Sequence, residues 1–154
     1  MLTLDTLQRV KDYLTTVPKT SKVYLGCDSS RRKEKETGHW YATYTTAIVI
    51  HVENSKGCKV LCDTVVERDF DANASKPNMR LMHEASLVTE AYQQLEEDLL
   101  EFDVEVHLDI NPDPMYGSNC AYGAARGYVA GVTGSDVTVK PAAFAASYAA
   151  DRFT

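Results

Sequence analysis

The sequence predicts an α/β domain built on a mixed five-stranded sheet, with helices on both faces and an extra helix at its N-terminal end. Three observations carry that prediction. Three segments rich in β-branched and aromatic residues follow one another closely, as an antiparallel meander would. Two alternations of a helical pattern with a short apolar strand pattern come next. A last alanine-rich helical pattern closes the chain. With 154 residues, 44% of them apolar and 25% charged, residues 1–154 fit one domain with a core of ordinary size.

Residues 3–16 form the extra helix, because Leu4, Leu7, Val10 and Leu14 recur at spacings of three and four. Thr3 or Asp5 caps it, and Pro18 follows its end. VYLGCD, 23–28, is the first strand and ends on a carboxylate. The RRKEK run that follows, Arg31 to Lys35, is a solvated loop. WYATYTTAIVIHV, 40–52, and CKVLCDTVVER, 58–68, are the second and third strands, with a turn at Ser55-Lys56-Gly57. Trp40 and Tyr44 on the second strand pack under a helix or stack on a base.

Residues 78–101 make a long helix, with Leu81, Ala85, Val88, Tyr92, Leu95 and Leu99 along one stripe. VEVHLDI, 104–110, is the fourth strand, and NPDPMYG is a loop. Ser118 caps a helix over 119–132 whose Gly123, Gly127 and Gly131 form a close-packing face against the sheet. DVTVK, 136–140, is a short fifth strand, and Pro141 opens the last helix. The resulting order, β-β-β-α-β-α-β-α after the first helix, is that of the ribonuclease-H-like fold.

Composition narrows the function. A net charge of −6 argues against a broad basic grip on nucleic acid, but a site of clustered acids is consistent with it. Cys27, Cys58, Cys62 and Cys120 include no CxxC pair, so they are reduced thiols rather than zinc ligands. No apolar run approaches the ~18–20 residues that span a bilayer, and the N-terminus has no signal-peptide pattern, so a cytoplasmic location is expected.

The acids carry the chemistry. In this fold the first and fourth strands are central neighbours, and Asp28 and Asp109 lie at their carboxyl ends. Two such carboxylates repel unless a cation neutralises them. On the long helix, Glu90, Glu97 and Glu101 point outward and Glu96 lies too far along. Glu84 stands about 60° from the stripe centre at the correct end. Asp151 shares a face of the last helix with Phe144, Ser147 and Tyr148. Asp113, in the NPDP loop, serves a turn. Asp28, Glu84, Asp109 and Asp151, one per element, are therefore the candidate catalytic and metal-ligating residues. Hard oxygen donors of this kind suit Mg²⁺ or Mn²⁺, and two such ions ~3.5–4 Å apart clamp a phosphodiester.

YLGCDSS (24–30), HEASL (83–87), HLDI (107–110) and VKPAAFAASYAADRF (139–153) also carry a family resemblance. The chain resembles the YkuK-type family of predicted ribonuclease-H-like proteins from bacteria and phages. The resemblance implies that Asp28, Glu84 and Asp109 fall on the family's acidic positions. Asp151 falls on one that is Asp in some members and Asn in others, and NPDP departs from the family's glycine-containing stretch. Lys140 and Ser29 are candidate substrate-binding residues. Lys140 contacts a phosphate or pairs with Asp151 or Asp109, and Ser29 and Ser30 otherwise hydrogen-bond the loop backbone. His83, beside Glu84, faces solvent by its helical angle.

Two readings compete. One is a metal-dependent nuclease acting on RNA, an RNA–DNA hybrid or DNA by a two-metal mechanism. The other is a non-catalytic module of the same fold that binds nucleic acid or a protein partner. An actin-type ATPase is set aside, because the chain is too short for two lobes and lacks a glycine-rich phosphate loop.

Overall fold

In the computed structural model, residues 1–53, 56–71 and 77–150 are described. Five strands form one mixed sheet in the order β3-β2-β1-β4-β5. They are β1 (Lys22–Lys33), β2 (Trp40–His51), β3 (Cys58–Arg68), β4 (Asp103–Leu108) and β5 (Asp136–Thr138). The first three make the expected antiparallel meander, and β4 runs parallel to both β1 and β5. The central neighbours are therefore β1 and β4.

Alternation along β1 divides its side chains between two layers. Val23, Leu25 and Cys27 join the buried core, which includes residues of α2 (Asn78–Leu99). On that helix Leu81, Ala85, Val88, Leu95 and Leu99 are buried as the stripe predicts. Helix α1 (Leu4–Leu14) lies against α2 and β3, and its N-cap is Thr3, whose hydroxyl accepts from the Thr6 amide. The other face of β1 carries Tyr24 and Gly26 and meets the closing segment, whose π-helical stretch is Ala145–Ala150. Helices thus cover both faces. Among the described residues no helix is long and apolar enough to cross a membrane.

Several expectations need correction. Asp28 does not end its strand, because β1 continues through Arg31, Arg32 and Lys33, which pair with Ala42, Tyr41 and Trp40. The backbone ladder tolerates polar residues there. The hairpin closes where the Glu34 amide donates to the His39 carbonyl and Gly38 takes a left-handed φ of 73°. Trp40 is partly exposed rather than under a helix, with the Arg31 guanidinium 4.2 Å from its ring centre.

The glycine row of α3 (Tyr122–Thr133) faces solvent, with nothing within 4 Å of where a β-carbon would stand on Gly123, Gly127 or Gly131. The helix packs through Ala125, Val129 and Thr133 instead. Spacing of four defines a face, but the larger apolar row claims the interior. Ser118 does not cap this helix. It lies in a 3-10 turn, Gly117–Ala121, and its hydroxyl accepts from the Asn111 amide at 2.9 Å. Strand β4 stops at Leu108 and β5 at Thr138, both two residues short of expectation. Pro141 sits in a turn where the Ala142 amide donates to the Val139 carbonyl, so helical structure begins later. Ser55, in the expected second turn, lies outside the described residues.

Candidate active site

Register brings the first two acids together. The last parallel pair between β1 and β4 is Cys27↔Leu108. Asp28 and Asp109 are the next residue on each chain, so they stand where the central pairing ends. Asp28 is buried. Asp109 is partly exposed, and the Lys140 ammonium lies 3.1 Å from its carboxylate. Lys140 thus takes one of its expected alternatives. Its backbone amide also donates to the Ile110 carbonyl, tying the end of β5 to the end of β4.

Glu84 is buried on α2, one turn past Arg80. The Ser29 hydroxyl donates to its Oε1 at 2.5 Å. Ser29 therefore meets a side chain rather than loop backbone. Arg80 Nη1 approaches the Ser29 hydroxyl at 3.3 Å and the Ser29 carbonyl at 3.4 Å. Burial holds the Glu84 carboxyl well above the usual carboxylate range, and the charges of Asp28 and Asp109 push it the same way. The Ser29 hydrogen bond and the Arg80 charge oppose that rise. Glu84 thus senses both aspartates although its helix packs on the face that Ser29 presents. The same burial and the Glu84 charge raise the neighbouring Cys27 thiol and Tyr44 phenol.

By chemistry the three carboxylates are hard oxygen donors of the kind a divalent cation takes, and the charges of Asp28 and Asp109 both act on Glu84. Among the described residues, however, no three His, Cys, Asp or Glu side chains form a group that could hold a metal ion. Asp151, the fourth predicted ligand, lies outside the described residues. Asp113 serves its turn, accepting from the Met115 amide at 3.0 Å. His83 does not simply face solvent: its ring packs edge-on to Tyr44 at 4.6 Å and pairs with Glu67.

Sequence reasoning missed four supports of this site. Gly26, inside YLGCDSS, lets the closing segment press onto β1. Arg80 could have been found from its spacing of four to Glu84 on one helix. Asp71 accepts from the Met79 and Arg80 amides at 2.9 and 3.0 Å, replacing the side-chain cap that Pro77 cannot give α2. Asp69 accepts from the Asp71 amide and pairs with Arg31, which also donates to the Asp71 carbonyl. No local pattern announces these last contacts.

A family model described as "Ribonuclease H-like" matches residues 5–154. No curated protein matches. Among solved structures, the NurA nuclease from Sulfolobus solfataricus matches at 12% identity and a TM-score of 0.39, over 67% of this chain and 35% of that one. The endonuclease V of Bacillus subtilis matches at 15% identity and a TM-score of 0.42, over 91% of this chain and 60% of that one. The chain therefore spans only about a third and three-fifths of those two proteins.

Proposed function

Because the chain belongs to the ribonuclease H-like family, we propose that it is a nuclease hydrolysing phosphodiester bonds in RNA, an RNA–DNA hybrid or DNA. The observation that supports this reading is the pairing that ends at Cys27↔Leu108, after which Asp28 and Asp109 follow on their strands, with both charges acting on buried Glu84. Asp28, Glu84 and Asp109, joined by Asp151 from the closing segment, would hold Mg²⁺ or Mn²⁺. Bound ions of this kind supply the positive charge that activates a water and stabilises a leaving oxygen. The chain's own residues orient the donors. The Ser29 hydroxyl fixes the Glu84 carboxylate, and Lys140 holds Asp109 until a phosphate competes for its ammonium.

The non-catalytic reading, a module binding nucleic acid or a protein, draws on one observation: Glu84 is already partnered by Ser29 within a polar cluster. Two measurements separate the readings. Mn²⁺ or Mg²⁺ raises the melting temperature of the nuclease, and Asp28→Asn abolishes that rise. Turnover of labelled RNA, hybrid or DNA, lost in the same variant, establishes catalysis. Nucleic-acid binding without turnover under any divalent metal selects the module.

A further inference from the structure

We propose that the cavity beside the first turns of α2 is a subsite for one nucleotide of a single nucleic-acid strand, next to the acidic site. This rests on the nuclease reading and adds a place for the strand. The cavity holds about 510 Å³, within the ~300–1,000 Å³ typical of small-ligand pockets. Tyr44 and Met82 line it, and Phe70 and Met79 are its exposed apolar residues, at 63% and 55% of their surface. Arg80 lines it too, one turn before Glu84, and its Nη1 approaches Ser29, whose hydroxyl donates to Glu84.

Its charges are arranged for an anion. Asp69 is paired with the Arg31 guanidinium, and Glu67 contacts the His83 ring. Arg68 and Arg80 have no salt-bridge partner among the described residues. The Arg68 guanidinium lies 5.2 Å from the Phe70 ring centre. Among the described residues the Arg80 guanidinium makes only long contacts to Ser29, and its buried Nε has no hydrogen-bond partner. A buried donor without an acceptor is unfavourable, and a phosphate oxygen supplies the acceptor. Phe70, 63% exposed, offers an aromatic surface to a base, and a base reaches it only when unpaired and unstacked from its neighbours. The subsite therefore reads a base on Phe70 and Arg68, and a phosphate on Arg80, without choosing a sequence.

The test is fluorescence anisotropy of a labelled oligothymidylate and a labelled oligouridylate, across salt concentrations, with thermal melts confirming each variant folds. Phe70→Ala weakens binding of both about tenfold, the order expected for losing one stacked base, and leaves the salt dependence unchanged. Arg80→Gln weakens binding and lowers the slope of log K against log salt by about 0.7, one phosphate contact. Tyr128→Ala, removing an exposed ring on α3, stays within about twofold of wild type. A wild-type protein that binds or cleaves these strands, with affinity unmoved by both Phe70→Ala and Arg80→Gln, overturns the subsite and leaves the nuclease reading standing. Binding that depends on Phe70 and Arg80 without turnover supports the subsite and overturns catalysis. A wild-type protein that binds and cleaves no strand overturns both.

Discussion

Gly26 lies directly beneath Ala145: a β-carbon on Gly26 would stand 2.5 Å from the Ala145 carbonyl carbon and from the Ala146 amide nitrogen. Those neighbours are backbone, so no side-chain rotation relieves the contact. Gly26→Ala is expected to destabilise the protein by about 1–3 kcal/mol, the usual cost of overpacking, measured by urea unfolding. On the proposed reading, in which Asp151 is a metal ligand, the same variant should weaken Mn²⁺ binding more than its stability loss explains. An unchanged unfolding midpoint would show that the segment does not rest on β1.

Asp71 should matter to Glu84 through the helix that carries it. It accepts from two amides in the first turn of α2. Asp71→Ala is expected to cost about 1–2 kcal/mol, as loss of a helix cap does. Asp71→Asn, which keeps one acceptor oxygen, should recover part of it. The readout is the urea midpoint together with the metal-dependent rise in melting temperature.

Glu84 works against stability once the unfolded carboxyl ionises, because burial penalises its charged form. Its carboxyl is raised above the ordinary value of 4.5, chiefly by burial. Such a group is fully stabilising below its unfolded pKa, and that contribution is lost as pH rises through the folded pKa. Glu84→Gln keeps an acceptor for the Ser29 hydroxyl and removes the charge. In EDTA it should melt several degrees higher than wild type at pH 8, where ~1 kcal/mol is about 2–4 °C for a chain of this size. Below pH 4.5 the two should converge. Added Mn²⁺ should stabilise wild type and leave Glu84→Gln unmoved.

His107 gives the opposite slope. It is almost fully buried, its Nδ1 accepts from the Ala145 amide at 3.1 Å, and its ring packs on Phe144 and Tyr24. Burial lowers its pKa from 6.5, with Glu105 opposing. The unfolded chain therefore binds the proton first as pH falls, and stability present above pH 6.5 declines below it. His107→Gln should show a flatter melting temperature between pH 7 and 5 than wild type. Equal slopes would remove His107 as the acid-sensitive link between β4 and the closing segment.

The order of elements was legible because each has a local signature. Period-two β-branched runs gave the meander, and a stripe at helical spacing gave α2. That Glu84 turns inward rather than to solvent was legible for the same reason, since its angle to that stripe is a property of the helix alone. The neighbouring of the strands that lead to Asp28 and Asp109 was legible because the predicted topology pairs them. Other features depended on distant residues. How far β1 runs past Asp28 was decided by the backbone of β2. Which face α3 buries was settled by the surface offered by α2 and β5. The Ser29–Glu84 bond joins residues 55 apart in the chain, and the seating of Ala145 on Gly26 joins two ends of the fold. Local spacing fixes a residue's direction on its own element. Only the packing of one element on another fixes what that direction meets.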